Sequence, residues 1–248
     1  MKPDLRFLDE TRKTELEPPC RRALDGLELP SHSTICIFDN QERQLFSDDL
    51  ELGQFYCGFF YPISRVGLQW RRWPQPILDL VWTTKGWAFD TVIYVRHRTC
   101  ESTIGTVITF VHELTHLMQF GFHYKAWQAE KMVQTVCANE PRAPWLWPTE
   151  HEAQLCARKA AEAILGRDEV TAYASKQLAK EFDDTEPGLA QRVFYPKWEF
   201  FLGLNTEQSF NLTEEIDRLV RNCRRSLIAR FPARNSTEPD FTKDNWWN

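Results

Sequence analysis

The sequence lacks the features that mark membrane, secreted and fibrous proteins. No apolar run approaches the roughly 18 to 20 residues that cross a bilayer, and the charged beginning, MKPDLRFLDETRK, has no apolar signal-peptide core. The seven cysteines are scattered, odd in number and form no CxxC pair, which argues against a disulfide framework and a thiolate zinc site. No repeat of fixed period is visible. We therefore expect a cytoplasmic protein with no membrane partner.

Neither sign of charge dominates the chain. Lys and Arg number 30 against 35 Asp and Glu, a net charge of -5. Sequence-independent binding to nucleic acids depends on an excess of Lys and Arg, so we expect no nucleic-acid partner. The 248 residues are 42% hydrophobic and include 17 Phe and 10 Trp, enough apolar mass for one large core. We predict a single domain over 1–232 and a flexible tail over 233–248, which has no hydrophobic periodicity.

Hydrophobic periodicity divides the chain into a mixed part, about 30–120, and a helical part, about 124–232. Short β-branched or aromatic runs bounded by turn residues predict strands at 34–38, 55–61, 77–82 and 91–96. Three- and four-residue spacing predicts a helix from Ser102, its cap, to about Gly121. Other helices are predicted within 5–28 and at 149–165 (with Thr149 as cap), 168–182, 188–202 and 211–230. The predicted fold class is α+β, a small twisted sheet packed on the helix that follows Ser102.

That helix contains an H-E-x-x-H sequence, His112-Glu113-Leu114-Thr115-His116. The two histidines are four residues apart and lie on one face, so both imidazoles can bind one zinc ion at about 2.0 to 2.1 Å. Glu113 is displaced around the helix by about 100°. There it can accept a proton from a water that the metal activates, without being a ligand itself. The spacing predicts metal-assisted hydrolysis with one Zn²⁺ per chain.

A catalytic zinc site usually takes a third protein ligand. A histidine in an H-E-x-x-H-x-x-G-x-x-H arrangement is excluded, because positions 119 and 122 are Gln119 and Phe122. The other source is a carboxylate from a later helix. The first turn of the helix predicted at 149–165 contains two, Glu150 and Glu152, and the residues alone leave both open.

His112-Glu113-x-x-His116 followed by Glu150-x-x-Ala153 resembles the gluzincin branch of zinc metallopeptidases. The fuller strings, HELTHLMQ and EHEAQLCA, are most similar to minimal zincins of bacteria and their mobile elements, some of which cleave repressor proteins. The resemblance covers about 91–155. It implies that His112, His116 and Glu150 hold the metal and that Glu113 is the general base. It also implies that 91–96 is an edge strand that pairs with an extended substrate.

Two features depart from the family pattern. The gap between His116 and Glu150, residues 117–149, is longer than in compact gluzincins and predicts an extra helix and a rigid loop over 125–147. Whether this insertion, within 119–148, gates the cleft is open. Position 154 is Gln rather than Asp, so a familiar partner for a ligand histidine is missing. Candidate donors to an oxyanion are Tyr195, His123 and His151, and no positional argument selects one of them.

We therefore predict a zinc metalloendopeptidase that hydrolyses peptide bonds in a protein or polypeptide substrate, with narrow or regulatory specificity. The alternative is a zinc-binding regulatory or interaction protein without turnover. Glu113 counts against it, because zinc binding alone does not need that carboxylate. A third possibility is a structural helical protein in which the motif is accidental, and absence of bound metal would establish that.

Overall fold

A computed structural model describes residues 2–40, 58–62, 73–83, 86–136, 144–184 and 197–230. These residues form a small sheet and a larger number of helices, consistent with the predicted α+β class. The strands are β1 (Asp4–Phe7), β2 (Thr34–Phe38), β3 (Gly58–Pro62), β4 (Trp82–Thr83), β5 (Gly86–Trp87) and β6 (Thr91–Val95). The helices are α1 (Lys13–Asp25), α2 (Gln75–Val81), α3 (His97–Cys100), α4 (Thr103–Phe122), α5 (Tyr124–Val136), α6 (Pro148–Leu165), α7 (Arg167–Asp184), α8 (Lys197–Gly203) and α9 (Leu212–Arg230). A 3₁₀ turn, Pro144–Leu146, precedes α6.

The main sheet has the strand order β1-β2-β6-β3. The first three strands are parallel, and β3 pairs with β6 in the antiparallel sense. The expectation that 91–96 forms an edge strand is therefore wrong, because β6 has β2 on one side and β3 on the other. The residues TVIYV are all buried, as in a central strand whose two faces are both covered. Within the described part of the chain, β3 is an edge of this sheet.

Helices cover both faces of the sheet. On one face α1 and α4 pack against β2 and β6, with Phe110 and Leu114 of α4 in the same apolar cluster as Phe38 and Ile93. On the other face α2 buries Ile77 and Val81 against β2 and β6. The prediction of a strand at 77–82 is wrong. A short apolar run does not distinguish a strand from a buried helix, and the proline in the first turn of α2 favours a helix start.

The segment 5–28 contains the helix expected there, α1, and also a strand, β1, that its sequence does not predict. β1 exists because β2 pairs with it over four residues. Such a pairing depends on a partner about thirty residues away, which a local pattern cannot report.

The helix α6 packs along α4, and this contact positions the functional site. Its buried face repeats alanine every four residues, at Ala153, Ala157 and Ala161, all fully buried. Side chains this small let two helix backbones approach closely. The first turn of α6 is thereby held beside the middle of α4.

The ends of these helices agree only in part with the prediction. Ser102 caps α4, since its Oγ accepts a hydrogen bond from the Gly105 N–H at 3.3 Å. The helix continues one residue past Gly121, which contacts Pro30 so closely that a Cβ would collide with it. Thr149 does not cap α6: the helix begins at Pro148, a residue whose fixed φ suits the first helical position. Thr149 lies within the first turn.

The remaining predicted helices are found where the structure describes the chain. The extra helix predicted within 125–147 is α5, and α7 and α9 correspond to 168–182 and 211–230. Of the helix predicted at 188–202, residues 197–203 form α8, and 188–196 lie outside the described residues, as does the tail at 233–248. None of the described helices has the length and apolar character needed to cross a membrane.

Candidate metal centre

The two histidines of the H-E-x-x-H sequence lie side by side on α4. Their ring centroids are 4.7 Å apart and the rings are nearly perpendicular, at 87°. The two Nε2 atoms are 3.1 Å apart, so both point to the same place. This follows from helix geometry, which stacks residues i and i+4 one turn apart on one face.

Glu150 completes the cluster from the first turn of α6. Its Oε2 lies 3.2 Å from His112 Nε2, and its Oε1 lies 3.5 Å from His116 Nε2. Two ligand atoms at about 2.0 to 2.1 Å from a tetrahedral zinc are about 3.3 to 3.4 Å from each other. The spacing between Glu150 and each histidine brackets that value, so the three side chains fit one zinc ion. Among the described residues this is the group of His, Cys, Asp and Glu side chains that could hold a metal.

The carboxylate at position 150, and not the one at 152, reaches the histidines. Glu152 instead lies 2.9 Å, through its Oε2, from the side-chain nitrogen of Gln119. The two carboxylates differ because residues two apart on a helix point in different directions. The open choice between them is resolved in favour of Glu150 as the residue that lies with the histidines.

The two histidines and Glu150 shift one another's pKa values when no metal is bound. Burial lowers the pKa of His112 to about 4, against an opposing hydrogen bond with Glu150. Burial acts in the same direction on His116 and is the largest single cause there, but the charge and hydrogen bond of Glu150, the charge of Glu113 and the Gln119 hydrogen bond together outweigh it and raise the pKa of His116 to about 9. Burial also acts to raise the pKa of Glu150, yet the charge of His116 and the two histidine hydrogen bonds hold it well below its usual value. These shifts favour an imidazolium at His116 beside a carboxylate at Glu150.

Glu113 is buried next to these three side chains. Only 6% of its surface is exposed, and burial raises the pKa of its carboxyl group to about 7. The charges of His116 and Lys197 act against that rise, and the charge of Glu150 adds to it. Lys197, at the start of α8, also acts on the pKa of His112. No motif pointed to Lys197, because it lies 81 positions after His116 in the sequence.

His116 is oriented by a residue that the sequence did not identify. Its Nδ1 lies 2.8 Å from Oε1 of Gln119, one helical turn further along α4. The Gln119 Nε2 donates to the Thr149 carbonyl at 2.8 Å and to Glu152 Oε2 at 2.9 Å. Gln154, at the position where the family pattern has an Asp that bonds a ligand histidine, does not play that part: its buried Oε1 has no hydrogen-bond partner among the described residues. A signal was present in the sequence, since i and i+3 are neighbours on a helix.

The insertion between the histidines and Glu150 supports the first turn of α6. Glu130 of α5 is fully buried, and its Oε2 accepts a hydrogen bond from the Thr149 N–H at 2.8 Å. Its Oε1 accepts from the Thr149 hydroxyl and, at 2.9 Å, from Gln134. The N–H groups in the first turn of a helix have no partner within the helix. Glu130 supplies the partner for Thr149.

The three candidate oxyanion donors are not brought to the cluster in the described part of the chain. Tyr195 lies outside the described residues. His123 follows the last residue of α4 and is exposed. The His151 ring stacks on Phe210, with centroids 4.7 Å apart, and lines a separate cavity of about 690 Å³ between α6, α8 and α9.

The chain has no detectable match among known proteins. No protein-family model, no curated protein and no solved structure matches this chain. The structure shows two histidines and a glutamate close enough together to hold a metal ion, an arrangement compatible with an H-E-x-x-H zinc site.

Proposed function

We propose that the chain is a zinc-dependent metallopeptidase with a zincin-like active site. His112, His116 and Glu150 are the ligands in this proposal, and Glu113 is the general base. The observation that carries it is the mutual spacing of the three ligand side chains, 3.1 to 3.5 Å between their nearest polar atoms. Two histidines and a glutamate are the ligand set of a catalytic zinc, and they leave a fourth position open.

The chemistry of the site divides between the metal and Glu113. A zinc ion lowers the pKa of a water molecule to near neutrality and polarises a carbonyl group. Glu113 takes up the proton that water loses and returns it to the leaving amine. Burial raises the pKa of Glu113 toward neutrality in the metal-free site, the direction that a general base working near pH 7 needs. Its burial beside the ligands keeps that proton out of bulk solvent.

The edge strand β3 supports a polypeptide as the substrate. An extended peptide can add to an exposed sheet edge through main-chain hydrogen bonds. β3 is an edge strand of the described sheet and packs against α4. A peptide added to β3 would therefore run beside the helix that carries His112 and Glu113. This replaces the strand at 91–96, which the sheet covers on both sides.

The test is metal content and peptide cleavage measured on the same preparations. Protein purified without chelator or metal-affinity resin should contain close to one zinc per chain and should cleave members of a mixed peptide library, followed by mass spectrometry. Glu113→Gln should keep the zinc and lose cleavage by at least about 100-fold, the usual contribution of general acid–base catalysis. Glu169→Gln, an exposed glutamate on α7, is the matched control and should behave as the unmodified chain.

Three results separate the alternatives. Zinc with no cleavage of any peptide would favour a zinc-binding regulatory protein. Full cleavage by Glu113→Gln would refute the general-base role. A folded chain that holds no zinc and takes up none would refute the metal centre altogether.

A further inference from the structure

Gln119 has its whole side chain committed to the metal centre. It is 1% exposed, and its amide makes three hydrogen bonds: one to His116 on its own helix, and two that join this helix to the helix of Glu150. The two partners of its nitrogen, the Thr149 carbonyl and the Glu152 carboxylate, are both acceptors. Its oxygen faces Nδ1 of His116.

These partners determine which way the amide points. An amide turned by 180° would set its oxygen against a carbonyl and a carboxylate and would leave both without a donor, which is costly for buried groups. The Gln119 oxygen therefore accepts, and His116 Nδ1 carries the hydrogen that it accepts. A neutral imidazole has one N–H, so the lone pair of His116 is then on Nε2. Nε2 is the atom that lies with His112 and Glu150.

The same hydrogen bonds hold Glu150 in place. Thr149 precedes Glu150 and Glu152 follows it near the start of α6, and the Gln119 nitrogen donates to both. Glu130 holds Thr149 from α5 at the same time. Thr149 is thus bonded through its carbonyl to the histidine helix and through its N–H and hydroxyl to the insertion.

We propose that Gln119 is the positioning residue of this metal centre: it sets the tautomer of His116 and fixes the first turn of α6, so that both helices present their ligands together. The proposal rests on the metal centre proposed above, though not on peptide cleavage. It also assigns the insertion a role, in which Glu130 braces the turn that carries Glu150.

The first test is the zinc affinity of Gln119→Ala, measured by competition with a chromophoric chelator. We expect a loss of about 10- to 100-fold, the range for residues that orient a metal-ligating histidine. The matched control is Gln154→Ala, which removes another buried glutamine, on α6, whose side-chain oxygen makes no hydrogen bond to the cluster. It should change zinc affinity little. Denaturant unfolding of both metal-free variants measures how much stability each loses.

Exchanging the amide at position 119 and the carboxylate at position 152 tests the hydrogen bond between them. Gln119→Glu should lower zinc affinity, because a carboxylate accepts from His116 but cannot donate to Glu152 and repels it. Adding Glu152→Gln to Gln119→Glu restores a donor opposite an acceptor at that contact, so the double variant should recover part of the lost affinity, while the Thr149 carbonyl stays without its donor. The visible spectrum of the cobalt(II)-loaded protein should change in Gln119→Glu and return in the double variant, because it reports ligand geometry.

The outcomes distinguish this proposal from the proposed function. Equal zinc affinity in Gln119→Ala and the unmodified chain, or equal losses in Gln119→Ala and Gln154→Ala, would overturn the positioning role. A double variant with no higher zinc affinity than Gln119→Glu alone would overturn the bonding pattern. If the unmodified chain binds zinc, is sensitive at Gln119 and cleaves nothing, the positioning role stands and the peptidase activity does not.

Discussion

Zinc binding should release a proton from His116, and the amount can be calculated from the structure. The pKa of His116 is raised to about 9, whereas that of His112 is lowered to about 4. Near pH 7, His116 is therefore almost fully protonated in the metal-free protein, and His112 is neutral. A metal ligand must be deprotonated, so each zinc ion that binds displaces about one proton from the pair.

The loss of zinc affinity caused by protonation of His116 follows from the difference between the pH and the pKa of His116. Two pH units between about 7 and about 9 correspond to about a 100-fold weakening of zinc affinity at pH 7, or about 2.7 kcal/mol. Affinity should rise about tenfold for each pH unit between about 6 and about 8.5. Glu113 also titrates in this range, since its pKa is about 7. The Glu113→Gln variant removes that second group, but the charge of Glu113 also helps to raise the pKa of His116, so the rise in affinity should move to lower pH in this variant.

Calorimetric titration with zinc in two buffers of different ionisation enthalpy counts the released protons. Histidine NMR of the metal-free protein, with His116→Ala for assignment, locates the group that releases them. An affinity that levels off above about pH 7 would mean that His116 has an ordinary pKa near 6.5. The charge coupling between His116 and Glu150 would then be refuted, even if both residues are ligands.

Three further predictions concern the helix that carries Glu150. Glu150→Ala should lower zinc affinity by more than about 100-fold, beyond the range for residues that only orient a ligand, whereas Glu152→Ala should lower it by about tenfold. Competition with a chelator ranks the two variants, and the reverse order would identify Glu152 as the ligand. Glu130→Ala should lower the free energy of unfolding by about 1 to 3 kcal/mol, because it leaves buried donors of Thr149 unsatisfied, whereas Glu130→Gln should cost less. Denaturant unfolding measures both, and an unchanged free energy of unfolding in Glu130→Ala would show that the hydrogen bonds of Glu130 to Thr149 contribute nothing to stability. Ala157→Leu should force α6 away from α4 at a cost of about 1 to 3 kcal/mol and weaken zinc binding too, and an unchanged zinc affinity would show that the site tolerates helix separation.

The local parts of this protein were readable from its sequence. The helix of His112 and His116 could be predicted because apolar residues repeat at its own period, and that period places residues i and i+4 on one face. The cap at Ser102 and the strand at 34–38 were likewise predictable, since each depends on residues within a few positions. Glu150 could be named only together with Glu152, and the choice rested on a resemblance.

Tertiary structure decided the features that depend on distant partners. The strand at 91–95 is central rather than an edge because 58–62 pairs with it, and the segment 75–81 is a helix because it buries one face on the sheet. The roles of Gln119 and Glu130 arise only when α4, α5 and α6 pack together, since their partners lie 30 and 19 positions away along the chain. Helical periodicity sets which way a side chain faces, but packing between elements sets what it meets.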